Sequence, residues 1–415
     1  MNKTFCVLPF VNVCTERSGE LQACQQSERF SKTNAYSDDI SLGWNDEYFK
    51  ELRLDLLNGV ENPNCFRCWQ ANERGIESKR TNANAIFKGR IEDPEFIQEI
   101  ENCKNNNGHF NLMPEQLDIK INNTCNLKCM MCNPYQSSQH VSEVKMMRKK
   151  GIEVPSWIQF IETTLGDKIK PPKGKLSDNL KKIIKQVDRL LIDGGEPLSS
   201  PDLGEVLDYC IEEGYTNLGV SFVTNLTNIS DGILNKLNQF DNVGLFLSWD
   251  HLDADYFKFI RYPADYNLFL KHFDEICRYK NIKLGISFAV SIFNVYDVFN
   301  ILDHFEKLTQ EQKLQLEVMF KLVHLPEYLC VEFLEPEQKQ ELDKMFDEYL
   351  LKNSHYTILQ NPSTLAQIKD IKELLTYSPD NFLSVVTERT KVLNMYDTIR
   401  NTDHHRLFPF IKKYE

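Results

Sequence analysis

Three observations place this chain in the α/β class. From residue 117 onward, short strand-like runs alternate with stretches of helical spacing, and the alternation repeats six times. Five of the six runs are rich in Leu, Ile, Val and Phe, as strands buried on both faces are. Repeated strand–helix units predict a parallel sheet with right-handed crossovers. The expected organisation is a small cysteine-bearing module with its linker over 1–112, a βα domain over 113–325 and a helical region over 326–415.

A length of 415 residues leaves ample chain for two or three such parts. Lys and Arg number 48 against 60 Asp and Glu, a net charge of −12. An acidic balance argues against broad binding to nucleic acid or to an anionic membrane, both of which need a basic surface. The apolar runs are too short to span a bilayer, and the first residues lack the apolar core of a secretory signal. The expected location is cytoplasmic. Twelve cysteines in such a chain point to metal binding or catalysis rather than to disulfides.

In chain order, Cys6 to Phe10 and Gly19 to Cys24 predict a small hairpin turning at Gly19. Glu47 to Leu57 has helical spacing, with Tyr48, Phe49, Leu52 and Leu56 on one face. Cys65 and Cys68 form a C-x₂-C pair, which needs two more ligands to close a four-cysteine site. Cys6 and Cys24 are the choice for these, with Cys14 in reserve. Such a site holds either an iron–sulfur cluster or zinc, and either would hold a small domain together. Residues 101–112, polar and Asn-rich, read as a linker.

The strand candidates are Leu117–Asn122, Arg189–Asp193, Leu218–Val223, Val243–Ser248, Lys283–Val290 and Leu314–Val323. Directly after the first come Cys125, Cys129 and Cys132, spaced C-x₃-C-x₂-C. One loop can aim three thiolates at one point. A four-iron, four-sulfide cube takes one cysteine per iron, so three cysteines leave one iron open. An open metal position marks a catalytic site. The alternatives are a zinc site short of one ligand, or cysteines buried as small apolar residues.

The triplet resembles the signature of the radical S-adenosylmethionine (SAM) superfamily. The resemblance implies a partial (β/α)₆ TIM-like barrel with function at the C-terminal strand ends. It implies a [4Fe-4S] cluster whose free iron chelates SAM, and a flavodoxin- or ferredoxin-type electron donor. Reductive cleavage would then give a 5′-deoxyadenosyl radical that takes a hydrogen atom from substrate. Met131 stands where the family has an aromatic residue near the adenine, and Met can fill that space. Gly194-Gly195-Glu196-Pro197 after the second strand is similar to the motif that holds the SAM amino group. Its glycines let the backbone pass close to a ligand, and Glu196 offers a carboxylate. Thr224-Asn225 resembles the Thr-Asn-Gly strand end, with Leu226 replacing glycine, which assigns Asn225 to the SAM pocket; the alternative is a strand-end Asn satisfied by its own neighbours. Ser248 and Arg261 match positions that contact the SAM ribose or carboxylate, a fit for a guanidinium. Trp249 and His251 beside them face either the substrate or the core. Gly285–Val290 and Asn294 resemble the adenine-side strand and the Asn that follows it.

The N-terminal cysteines resemble the twitch or SPASM-like module that carries a second [4Fe-4S] cluster in many members. The matching residues are Cys6-x₂-Pro9-Phe10, Gly19-x₄-Cys24 and Cys65-x₂-Cys68-Trp69, followed by Glu73, Gly75, Ser78 and Arg80. Here the module precedes the barrel, whereas in most relatives it follows.

Two features bear on substrate. The segment from Pro134 to Asp188 is long for one helix and its loops. With its basic run Lys168–Lys175 it reads either as a lid holding a phosphate or carboxylate, or as a solvated loop. Cys330 could donate a hydrogen atom to a substrate radical, or be a buried apolar cysteine. His404 and His405 read as surface residues. The expected function is a radical SAM enzyme acting on a peptide or small polar metabolite. The alternatives are a modified-nucleotide substrate, or a non-catalytic iron–sulfur or zinc scaffold that binds a partner.

Overall fold

The computed structural model describes every residue except 1, 74, 76, 171, 313–315, 413 and 415, and leaves the side chain of residue 312 undescribed. Its eight strands are β1 (Asn12–Thr15), β2 (Leu21–Gln22), β3 (Gln116–Lys120), β4 (Arg189–Asp193), β5 (Gly219–Thr224), β6 (Val243–Ser248), β7 (Ile282–Val290) and β8 (Glu317–Leu322). They form one sheet in the order β2-β1-β3-β4-β5-β6-β7-β8. The α/β class and the barrel-like strand succession are as the βα repetition predicts. All six predicted strands form, as β3 to β8. The expected start of the last, Leu314, lies outside the described residues.

The N-terminal segment differs from expectation. Leu8–Val11 is a helical turn, and the strand is Asn12–Thr15. It pairs antiparallel with β2, Cys14 opposite Gln22, around Gly19 in a left-handed conformation. Its other edge pairs parallel with β3, Val13 opposite Leu117 and Cys14 opposite Asp118. The cysteine-bearing segment therefore lends strands to the main sheet. A four-residue strand with no apolar run of its own does not stand out in the sequence.

The chain divides into two compact units. The first comprises 1–124, 167–222 and 230–244; the second comprises 125–166, 223–229 and 245–415.

In the first unit the helix Glu47–Leu57 forms as predicted, capped by the Asp46 side chain on Phe49 N–H. Its Arg53 is fully buried among the rings of Phe10, Trp44, Phe49 and Phe110. It donates to neutral oxygens: the carbonyls of Pro9 (2.8 Å), Trp44 (2.9 Å) and Gly108 (3.3 Å) and Asn45 Oδ1 (2.7 Å). Burial pulls its pKa down to about 9. The expected linker at 101–112 is partly helix, because Pro94–Asn105 runs through it with Phe96, Ile100 and Cys103 buried along one face. Only after Asn107 and Gly108, both left-handed, does the chain turn to bury Phe110. The basic run is engaged locally. Lys168 pairs with Glu20 (2.7 Å), Lys170 with Asp167 (2.6 Å) and Lys175 with Glu205 (2.7 Å).

In the second unit Trp249, 1% exposed, packs on Phe269, Phe273 and Phe305 with ring centroids 4.8–5.2 Å away, so it belongs to the core rather than to a substrate face. The C-terminal helices form at Pro336–Lys352, Pro362–Thr376 and Phe382–Arg400. His404 is buried against Asp397, with Nδ1 2.5 Å from the carboxylate, and is not the surface residue expected. Among the described residues, no helix is long and apolar enough to cross a membrane.

Candidate cluster and cofactor site

The loop of Cys125, Cys129 and Cys132 is fixed by backbone bonds within the second unit. Lys128 N–H donates to Tyr262 C=O (2.7 Å) and Met130 N–H to Ile260 C=O (2.8 Å). The helix Ser138–Lys149 holds it from the other side. Ser137 Oγ donates to Leu127 C=O (2.5 Å), and His140 Nε2 lies 2.9 Å from Cys129 C=O. Donors also point at the sulfurs. Cys125 Sγ accepts from Leu127 N–H (3.4 Å) and faces Asn225 Nδ2 (4.0 Å), while Arg261 Nη1 lies 3.9 Å from Cys129 Sγ. A hydrogen bond from Cys132 holds the Cys129 thiol below the usual range against burial, with Arg261 behind it. The same bond, with burial, pushes Cys132 well above. Among the described residues, no three His, Cys, Asp or Glu side chains converge closely enough to wrap a single ion. A four-iron cube takes one thiolate per iron. Three sulfurs on one loop, met by N–H and guanidinium groups, suit it chemically.

Asn225, at the end of β5, organises this loop. Its Oδ1 accepts from Thr227 N–H (2.9 Å) and Thr227 Oγ1 (2.6 Å), and its Nδ2 donates to Asn126 Oδ1 (2.9 Å). Leu226 has φ +54°, the left-handed conformation that explains glycine at this place in the resembling motif. His272 Nδ1–H donates to the Leu226 carbonyl (2.7 Å). Ser248 is buried at the end of β6. Arg261 is directed at Asp250 (Nε–Oδ2 2.6 Å) as well as at Cys129. Burial opposes its charge, and Asp250 and then Cys129 more than offset that, raising its pKa. Asp250, which no motif singles out, also accepts from Ala289 N–H (2.8 Å). Asn294 Nδ2 donates to the carbonyls of Asp250 and Ala289, both at 3.0 Å, a bond that fastens the β6 and β7 ends. His251 stacks on Tyr256 (4.5 Å between ring centroids) and pairs with Asp297 (3.0 Å). Met131 is half-buried. Cys330 is buried, its thiol donating to Pro326 C=O (3.6 Å), and burial pushes its pKa up.

Gly194, Gly195 and Glu196 belong to the first unit. A Cβ on Gly195 would run into the Thr124 carbonyl, and one on Gly194 would meet Ile121. Glu196 N–H donates to Thr124 C=O (2.7 Å). The close approach that demands these glycines is to the chain's own backbone at Thr124 and Ile121. Glu196 is buried, and its Oε1 accepts from Leu198 N–H (3.2 Å).

Of the N-terminal cysteines, Cys6, Cys24, Cys65 and Cys68 are electrostatic neighbours. Burial, and after it the charges of Cys24, Cys65 and Cys68, push Cys6 well above the thiol range. Burial, with Cys24 and Cys68, pushes Cys65 to about 12. Cys14 faces Asp118 and Lys120 ahead of Cys24, and Cys103 faces Arg53 and Glu99.

The family description that matches is the Radical SAM superfamily, over residues 119–295. That segment, about two fifths of the chain, is the part that resembles the superfamily. The cysteine loop, the β4 turn and the β5 and β6 ends all lie inside this radical SAM match. Among solved structures the chain is similar to SuiB from Streptococcus suis bound to S-adenosylmethionine, at 15% identity and TM-score 0.41, covering 65% of this chain and 60% of SuiB. It is also similar to anSMEcpe with bound AdoMet, at 17% identity and TM-score 0.35, covering 57% and 60%. A third is TYW1 with a lysine–pyruvate adduct, at 17% identity and TM-score 0.29, covering 54% and 70%. The chain spans about three fifths of the length of SuiB. No curated protein matches it.

Proposed function

We propose that Cys125, Cys129 and Cys132 hold a [4Fe-4S] cluster with one open iron and that the protein is a SAM-dependent radical enzyme. When bound, the cluster and SAM supply a reducing electron and a 5′-deoxyadenosyl radical that removes a hydrogen atom from substrate. Asn225 holds the Asn126 side chain and faces the Cys125 sulfur, and Arg261 sets a positive charge beside Cys129. Glu196, Gly194, Gly195, Ser248 and Met131 are assigned to SAM by motif. Cys6, Cys24, Cys65 and Cys68 hold a second [4Fe-4S] cluster, a reading supported by their mutual proximity. A flavodoxin- or ferredoxin-type protein supplies the electron. The substrate is a peptide or a small polar metabolite, since the acidic balance disfavours nucleic acid.

The observation that carries this reading is the pinned three-cysteine loop with donors on its sulfurs, inside the matched segment. Anaerobic reconstitution tests it. The wild type should bind about eight irons, and the Cys125→Ala/Cys129→Ala/Cys132→Ala variant about four. With reductant, only the wild type should convert SAM to 5′-deoxyadenosine. A wild type that loads iron yet leaves SAM intact would be a scaffold.

A further inference from the structure

The C-terminal helix Phe382–Arg400 lies outside the matched segment, yet its last residue reaches the cysteine loop. Arg400 and Glu143 have side chains only 2% exposed and form a bidentate pair, Nη2–Oε2 2.6 Å and Nε–Oε1 3.1 Å. Arg400 Nη1 lies 3.2 Å from Met130 Sδ. Its guanidinium stacks on Tyr396 (4.1 Å) and Tyr262 (5.1 Å). Tyr262 OH donates to the Arg400 carbonyl (3.3 Å), and the Tyr262 carbonyl receives the Lys128 N–H. Lys128 Nζ also pairs with Glu143 (3.1 Å). His140 sits between, with Nδ1 3.8 Å from Glu143 and Nε2 on the Cys129 carbonyl.

Every group here touches either the loop or a residue that holds it. Three cations (Lys128, Arg261, Arg400) face two carboxylates (Glu143, Asp250), so the group around the loop carries one net positive charge, with Lys128 its partly exposed member. Charges in a low-dielectric setting act strongly. The potential of a thiolate-bound cluster responds to nearby charge, because reduction adds a negative charge.

We propose that Arg400, paired with Glu143, is a positioning residue for the catalytic cluster: it locks Met130 and its neighbours against the end of the C-terminal helix and helps set the cluster's reduction potential. The proposal rests on the cluster reading above. The two are separable, because iron content compared with the triple-cysteine variant tests the reading first. If the wild type holds no iron that the triple variant loses, the cluster reading itself fails.

The test is an anaerobic redox titration of the reconstituted full chain, following the electron paramagnetic resonance signal that changes when SAM is added. Arg400→Gln removes a positive charge and should lower the midpoint potential. Glu143→Gln removes a negative one and should raise it. Arg400→Lys keeps the charge without the fork and should lie closer to wild type than Arg400→Gln. A merely structural pair would not give shifts of opposite sign, so shifts in the same direction, or none, overturn the proposal. If Arg400→Gln takes up no iron, the other two variants decide: a rise for Glu143→Gln supports the proposal, and no rise overturns it. Loss of iron in all three with circular dichroism unchanged supports the positioning role. Loss of the fold in all three overturns it in favour of packing alone.

Discussion

Leu226 shows how one residue can break a motif and keep its geometry. It holds φ +54° while fully buried. A left-handed non-glycine residue costs roughly 1–2 kcal/mol, and losing a buried leucine costs about 2–5 kcal/mol. Leu226→Gly should therefore lower stability by about 1–3 kcal/mol in urea titration, and a stabilised variant would contradict this balance. Gly195 presents the opposite case. Any side chain there meets the Thr124 carbonyl, so Gly195→Ala should cost about 1–3 kcal/mol and broaden thermal unfolding. Asp118 carries a pH dependence. Burial, and after it the Asp193 charge, raises its carboxyl to about 6, while Gln25 bridges the two carboxylates. A carboxyl whose pKa is raised on folding stabilises the fold fully below its unfolded value near 3.8. That contribution is lost as pH climbs through about 6. Wild type and Asp118→Asn should thus be similar in stability at pH 4, and the variant more stable at pH 7 by about 3 kcal/mol. Parallel denaturant titrations at the two pH values check the sign.

At the scale of elements, Arg53 is the feature that ties helix Glu47–Leu57 to its surroundings. Four acceptors depend on its guanidinium, and buried unpaired groups cost about 1–3 kcal/mol each. Arg53→Met should cost at least about 3 kcal/mol, with faster hydrogen exchange at amides 48–56 if the loss begins in this helix. The elements differ in how far they could be read in advance. The strands β3 to β8 and the cysteine triplet were legible because their signals are local: a run of apolar residues, or a fixed spacing. The helix Pro94–Asn105 was obscured where Asn102 and Asn105 lend a linker composition to a turn whose buried face is Phe96, Ile100 and Cys103. The glycines before Glu196 were visible, but not their reason, since nothing in the sequence brings Thr124 beside Gly195. Arg400 and Glu143 are 257 residues apart, and no spacing rule links them.

At the scale of the molecule, the N-terminal cysteines and the βα repeats are not separable parts. β1 supplies the parallel neighbour of β3, and its own far edge is capped by two residues of β2. A chain beginning at residue 113, close to where the family match starts, should expose the β3 edge and elute as aggregates in size-exclusion chromatography. A monodisperse, folded fragment would show that β1 is dispensable. The two-residue β2 has its own effect. Chain growth by strand addition requires a long, flat border, and this hairpin closes that flank with a rung too brief to template another copy.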